Sequence, residues 1–425
     1  MKKIIKYLVL LIVVGVVAGV IYKISDNNKN VKAGNHYSDT DGSVKIEKQS
    51  LKLIREMYSN DVEDLRNGKY DKLSTQNPYI YITEQDSVSN ISEKSNHKFD
   101  NLSLMELLEA EYEVVKNLIG EDLNMDCLVD DTSMQYNNEN YDIHYPTYQE
   151  TVESIKNNTY TPNELTAATR PYLGYIGLTV EGGDQRYCHV PQDMDYVVFM
   201  RGKLFELTGE AHEDLESDFE PLKTYYNCGT NLEDKYMLSN GEISIKDAID
   251  FVEQYFEDLH PYNIFPEIKN IVHHVSVFDI GNGIYAYEFT MVRKFDGLIA
   301  EAGTASGEED NEVKDCTKVT MVETDNVDIR IGSGNGHEMS KIGEEITEVI
   351  SLKSVLELIS SKIGNNSQYE ITEISMIFRR DVKERKLYQQ EYTGIPHWLV
   401  RGKNLNDGRE VRFYVNMADG KLEYK

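Results

Sequence analysis

Ile243-Ser244-Ile245-Lys246-Asp247-Ala248-Ile249 and Ile350-Ser351-Leu352-Lys353-Ser354-Val355-Leu356 match position for position in character. In each, a serine stands where its hydroxyl can accept from the first turn of a helix. An apolar face follows: Ile245, Ala248, Ile249, Val252 and Phe256 in the first, Leu352, Val355, Leu356, Ile359 and Ile363 in the second. Both recur at three- and four-residue steps. Ser244 with Asp247 also fits the acidic form of a capping box. Strand-like runs come after each helix. The first set is 271–280, 284–293, 318–323 and 327–331; the second is 369–378, 396–401, 410–416 and 421–424. Asp419-Gly420 is a hairpin signal, and Asp325-Asn326 holds the corresponding place in the first copy. Two helix-then-antiparallel-strand units predict an α+β fold, with each helix on one sheet face.

Outward from this repeat, a polar acidic stretch at 208–240 predicts a domain boundary. The reading divides the chain into 1–24, 25–43, 44–238, 239–340 and 341–425. Residues 44–238 read as a mixed helix and strand domain. Leu51, Ile54, Tyr58, Val62 and Leu65 form one helical stripe, and Leu104, Leu107, Leu108, Val115 and Leu118 another, over 103–119. Residues 124–161 are polar and tyrosine-rich without a clear period. A short helix is predicted over 162–173, then strands at 175–180 and 187–190 and a hairpin over 196–207 that breaks at Arg201-Gly202-Lys203.

At the N-terminus, Lys2, Lys3 and Lys6 precede the run YLVLLIVVGVVAGVIY at residues 7–22. From 4 to 22, at about 1.5 Å per helical residue, the run reaches about 28 Å, close to the roughly 30 Å hydrocarbon core. Ala18 is flanked by Val16 and Val20, so no small-x-small cleavage site follows. The reading is a transmembrane signal-anchor over 1–24 and a flexible tether over 25–43. The lysines favour an inside N-terminus, with the bulk of the chain extracytoplasmic.

The closing stretch Val411-Arg412-Phe413-Tyr414-Val415-Asn416-Met417-Ala418-Asp419-Gly420-Lys421-Leu422, after a capped helix and strands, resembles the PepSY domain, which typically ends in a strand, an Asp/Thr-Gly-Lys turn and a strand. The resemblance covers residues 239–425. The first copy departs from it, since Thr324-Asp325-Asn326-Val327 has no Gly-Lys. An anchor followed by tandem units is also similar to membrane-anchored regulators that accompany a cell-envelope histidine kinase. The resemblance implies an extracytoplasmic binding or inhibitory module rather than an enzyme, and it carries over no site residue.

Composition narrows the partners. The formal charge is −29, from 44 basic and 73 acidic residues. Such a surface repels nucleic acid and anionic headgroups, so no nucleic-acid partner is expected. Cys127, Cys188, Cys228 and Cys316 form no C-x-x-C pair and leave three disulfide pairings open. No histidine pair has metal spacing. His273-His274 lies in a strand-like run, where alternation sends the two side chains to opposite faces. Asp39-Thr40-Asp41-Gly42 misses the calcium-loop frame at Tyr37 and Lys48. Gly332-Ser333-Gly334-Asn335-Gly336 is not a nucleophile elbow, and Gly281-Asn282-Gly283 reads as a turn. No catalytic residue, metal ligand or cofactor is predicted.

The expectation is a membrane-anchored binding or regulatory protein of the cell envelope, acting on a membrane or envelope protein or a peptide. A hydrolase with a site assembled from distant residues and a structural component of a membrane assembly are the alternatives. Alternation should leave one sheet face open opposite each helix, and Tyr285 and Tyr287 are the candidate contact residues.

Overall fold

The computed structural model describes residues 46–95, 103–119, 125–130, 135–137, 142–161, 177–180, 187–191, 198–200, 203–209, 215–227, 229, 231–258, 269–301, 316–331, 337–364, 366–381 and 391–425. The expected anchor 1–24, the tether, the helix over 162–173 and the Gly332–336 loop lie outside them.

Sheet dominates. Strand takes 45% of the described residues and helix 29%, which overturns the α+β class expected from two helix-then-strand units. No helix among the described residues is long and apolar enough to cross a membrane. The reason for the difference is physical. Capped amphipathic helices are written locally, whereas many strands here are short and pair with partners far away in sequence.

Strand β1 (Lys48–Ser50) leads into helix α1 (Leu51–Arg66). Then come β2 (Leu73–Ser74), β3 (Tyr79–Tyr81) and β4 (Val88–Ser95). After the intervening segments, β5 (Lys223–Tyr226) precedes α2 (Ile245–Asp258), β6 (Lys269–Gly281) and β7 (Ile284–Phe295). Next are β8 (Leu298–Ala300), β9 (Cys316–Glu323), β10 (Asn326–Ile331) and β11 (His337–Ile346). The chain closes with β12 (Glu348–Ile350), α3 (Leu352–Lys362), β13 (Tyr369–Asp381), β14 (Glu391–Asn404), β15 (Glu410–Asn416) and β16 (Leu422–Tyr424).

The first sheet runs β5-β6-β7-β9-β10, all antiparallel. The second runs β13-β14-β15-β16, with β2 and β3 added parallel to β13. Strand β8 joins them, antiparallel to the end of β7 and parallel to β13 at Ile377 and Phe378. Strand β4 pairs with the start of β14 on one side and with β11 on the other. Tyr187–Pro191 and Val198–Met200, with Gly177–Val180, extend the first sheet beyond β10. The hairpin expected over 196–207 is instead that strand and a helical turn, Lys203–Thr208.

Each serine caps its helix. Asp247 N donates to Ser244 Oγ at 3.0 Å, and Ser354 N to Ser351 Oγ at 3.2 Å. The isoleucine ahead of each serine also has one role in both halves. The Tyr287 hydroxyl donates to the Ile243 carbonyl at 2.9 Å, and Trp398 Nε1 donates to the Ile350 carbonyl at 2.9 Å. An aromatic residue on the second long strand thus fixes where its helix starts. Helix α2 buries Ile245, Ala248, Ile249 and Val252 on Val275, Val277, Tyr287, Phe289 and Met321.

The second core reaches back to the N-terminal segment. Leu51, Ile54, Val62 and Leu65 of α1, with Leu73, Val88 and Ile91, pack with Leu352, Val355, Leu356, Ile374, Trp398 and Val415. Ser351 N donates to the Glu47 carbonyl, and Glu47 N to Ser354 Oγ. Residues 46–95 therefore complete the core of the C-terminal unit, across the boundary expected at 208–240.

Candidate functional site: a charged seam between the sheets

The site begins with a backbone irregularity. Val272 pairs with Met291 and His274 with Thr290, which leaves His273 as an extra residue in β6. A bulge of this kind breaks the alternation of side chains. His273 and His274 therefore do not diverge to opposite faces. Their Nδ1 atoms lie 2.9 Å apart, which corrects the reading made from alternation. Strand β13 bulges at the corresponding place, between Ile371 and Glu373. The two bulges meet, with His273 Nε2 3.5 Å from Glu373 Oε1. The rings of Tyr79 and Tyr226 pack on His273, and Tyr226 also meets His274.

Around this point the first sheet turns a polar face inward. Register aligns Thr224, Ser276, Glu288, Thr320 and Asp328 in one row and Tyr226, His274, Thr290 and Lys318 in the next. A helical turn, Leu215–Asp218, covers this face. Leu215 packs with Leu204 against Phe278, Ala286 and Val322, and its backbone N donates to Glu288 Oε2 at 2.9 Å. The next residue, Glu216, accepts from Lys318 Nζ at 2.9 Å and from the Ser276 hydroxyl at 3.3 Å. Lys318 donates to Glu288 Oε1 as well, at 2.9 Å. His274 Nε2 lies 3.9 Å from Glu216 Oε1, too far for a direct hydrogen bond.

The second sheet answers with its own charges. Glu373, Arg401 and Arg412 stand in register across β13, β14 and β15. Arg401 Nε is 3.2 Å from Glu373 Oε2, and the Ser375 hydroxyl donates to Glu373 Oε1 at 2.6 Å. At the half-open rim, Glu301 accepts from the Tyr414 hydroxyl at 2.7 Å and from Arg412 at 3.3 Å. A further carboxylate, Glu93 of β4, is buried to 1% exposure. It accepts from Arg293 of β7 at 2.8 Å and from two nitrogens of Arg380 of β13 at 2.6 and 2.8 Å. Three regions of the chain meet at that one side chain.

These surroundings set the titration of the groups. Burial would raise the Glu373 carboxyl, but Arg401, His273 and the Ser375 hydroxyl overcome it and hold the group well below the usual carboxylate range. The His274 ring beside Glu216, and then Lys318, pull that carboxyl down to about 2 against its partial burial. Burial pushes His274 down to about 4, against the opposing pull of Glu216. Burial would lower the Lys318 ammonium, yet Glu288 and Glu216 hold it above its ordinary value. Among the described residues no group of three or more His, Cys, Asp or Glu is placed to hold a metal ion.

Tyr287 is fully buried beneath α2, and Tyr285 packs beside it against Tyr236. Neither lies on an open sheet face. The opposite face of β7, at Ala286, Glu288, Thr290 and Val292, is buried too. It is covered by the Leu204 and Leu215 cluster and by Tyr79, Ile299, Ile377, Leu399 and Tyr414 of the inter-sheet contact.

No protein-family model matches the chain, and no curated protein matches it. Two solved structures are similar in part. One is the crystal structure of an uncharacterized protein from Eubacterium rectale ATCC 33656, with 13% identity and a TM-score of 0.47; the match covers 86% of this chain and 98% of that one. The other is the C-terminal domain of Bacillus megaterium YpeB, with 13% identity and a TM-score of 0.30, covering 76% of this chain and 97% of that one. At TM-scores below 0.5 these likenesses define neither the fold nor the function of this chain.

The seam joins charges that the sequence scatters. Glu93, Arg293 and Arg380 have no common motif, and neither do Glu216, Lys318 and Glu288. The one local signal was the adjacent histidine pair inside an otherwise apolar strand run, which read alone pointed to diverging side chains.

Proposed function

We propose that the protein acts by contact, as a binding or regulatory module of the cell envelope, held at the cell membrane by its apolar run at residues 4–22 with the bulk of the chain outside. The observation that carries this reading is the pairing of the seam carboxylates with cations, Glu373 with Arg401 and both Glu216 and Glu288 with Lys318. Glu373 and Glu216 are held well below their ordinary range, fully ionised at neutral pH and engaged with cations. A general acid or base working near neutral pH needs the opposite shift. The arrangement suits a scaffold that holds one shape for a partner, with its ion pairs fixing the sheets against each other. The resemblance of residues 411–422 to the end of a PepSY domain supports the same class of role.

The partner is a basic membrane or envelope protein or peptide. The strongly acidic surface favours such a partner and makes the association salt-sensitive. Crosslinking in cells should capture an envelope protein, and its binding to the purified soluble region should weaken as salt rises. The same region should not turn over peptidoglycan, peptides or esters. Turnover of any of these that one substitution abolishes overturns the contact reading in favour of a hydrolase.

A further inference from the structure

Both cap serines stand beside an added antiparallel strand, and the two strands are held in different ways. In the first half Lys235–Met237 pairs with Glu242–Ser244. Its Tyr236 packs on the rings of Tyr225, Tyr285 and Tyr287, and Leu238 just beyond it is buried. Asn240 then ties the turn to Thr324 and Asp325. In the second half the added strand is β1, which pairs with β12 from Lys48 opposite Ile350 to Ser50 opposite Glu348. Glu47, Lys48 and Ser50 are exposed and Gln49 is half-buried. Among the described residues no hydrogen bond or ion pair joins a side chain of Glu47, Lys48 or Gln49 to the fold. Backbone bonds hold the strand instead. Ser351 N donates to the Glu47 carbonyl at 2.9 Å and Leu51 N to the Thr347 carbonyl at 3.4 Å. Between these, Gln49 and Val349 are the pair that exchanges both backbone bonds. Glu47 N donates to the Ser354 hydroxyl at 3.0 Å. Ile46 rests on Gly420, where an added Cβ would stand 2.8 Å from Ile46 Cδ1.

The change at the next residue is abrupt. Leu51 is fully buried, and Ile54, Val62 and Leu65 fix α1 in the second core. Strand β1 can therefore lift as far as Ser50 without moving α1. The chain ahead of Ile46 enters the fold through β1, so a pull on that chain loads this strand first. We propose that β1 is a tension-released clip which, given the membrane anchoring proposed above, passes a pull from the membrane to the start of α3.

A pull directed away from β12 opens the bonds in turn, from Glu47–Ser351 at the entry towards Leu51–Thr347. Release uncovers the Ser351 N–H at the first turn of α3, the Val349 N–H, and the carbonyls of Thr347 and Val349. Together these make a strand edge with which an extended segment of a partner can pair. Helix α1 and the second core stay in place, so the fold survives the release. The strand at Lys235–Met237 resists the same loss, because Tyr236 and Leu238 would have to leave apolar surroundings.

Amide hydrogen exchange of the full chain in detergent tests whether the clip opens alone. The Gln49, Val349 and Ser351 amides should exchange together, at least about a hundredfold faster than those of residues 54–62 in α1. Exchange at the α1 rate overturns the proposal. Gln49→Pro removes one donor of the exchanging pair and should lower the protection of Val349 and Ser351 at least about tenfold, with residues 54–62 unchanged. Protection that survives the substitution overturns the clip as well, and should Gln49→Pro fail to fold, the wild-type exchange decides. Force–extension measurement on the same chain, held at Lys45 and at Asn406 in the turn between β14 and β15, tests the response to a pull. The first event should be a reversible step of up to about 17 Å, the extended length of five residues, and Gln49→Pro should lack it. Unfolding of α1 with no earlier step overturns release by tension. None of these measurements needs a membrane, so their failure removes the clip and leaves the anchoring, which carbonate extraction of cell membranes tests separately.

Discussion

In the first half of the repeat the Ile243 carbonyl accepts from a tyrosine hydroxyl, and in the second the Ile350 carbonyl accepts from a tryptophan ring nitrogen. The geometry is shared and the chemistry is not. Tyr287 and Trp398 occupy equivalent places on the second long strand, and both lock the residue ahead of a cap serine. The surroundings then diverge. The second half gathers α1, β2, β3 and β4 from the N-terminal segment into a far larger apolar core. The first half keeps a smaller core under α2 and devotes its other face to ion pairs. One helix-and-strands plan is thus stabilised in one half by recruited apolar surface. In the other it is sealed against a charged seam.

The largest effect should come from breaking the point where both halves meet the N-terminal segment. Glu93→Leu leaves Arg293 and Arg380 without their shared carboxylate in a dry site, which should cost about 3–5 kcal/mol in urea denaturation. A cost below about 1 kcal/mol would mean that the cluster behaves as a surface pair and does not join the halves.

Acid should weaken the seam through its carboxylates. Glu373 and Glu216 titrate lower in the fold than their ordinary 4.5. Their contribution is therefore complete above that value and is lost as pH falls below it. Stability measured against pH should begin to decline below about 6.5 through buried His274 and fall more steeply below about 4.5 through the carboxylates, and Glu373→Gln should flatten the steeper part while lowering stability at pH 7. An unchanged acid limb in the variant would remove Glu373 from the seam's charge balance.

The paired locks should differ in size. Trp398→Phe removes a ring and its donor from a fully buried site and should cost about 2–3 kcal/mol. Tyr287→Phe removes only a hydroxyl and should cost about 1 kcal/mol. Equal costs would show that the two positions are not equivalent locks set in different cores. Smallest of all, Ser351→Ala should cost about 1 kcal/mol or less through loss of the cap on α3.

The parts legible in the sequence were those encoded over a few residues. The cap serines Ser244 and Ser351, the stripes of α1 and α3, and the turns at Asp325-Asn326 and Asp419-Gly420 all have local signatures. The seam was not legible. Glu93 looked like one acidic residue in an acidic chain, and only the pairing of β4 with β14 carries it to Arg380. Residues 208–240 read as a domain boundary because they are polar and acidic, yet Leu215 and Glu216 lie there and pack on the first sheet. Alternation misled at His273 because a bulge is a property of two paired strands and does not show in one. It also misled at Tyr287, since a sheet covered on both faces reads the same as one covered on a single face when its second face is polar.

The claim on which all this rests is that residues 46–95 are part of the second half's core. A fragment spanning residues 239–425 tests it most directly. It lacks Leu51, Ile54, Val62, Leu65, Leu73, Val88 and Ile91, each worth about 1.5–3 kcal/mol when buried. Together that rivals the whole net stability of a typical domain, about 5–15 kcal/mol. Trp398, the single tryptophan, is fully buried in that core and reports on it. Its fluorescence in urea should show no cooperative transition in the fragment, whereas the chain that keeps residues 46–95 unfolds with one. A fragment whose Trp398 transition keeps the midpoint of the longer chain would contradict the account.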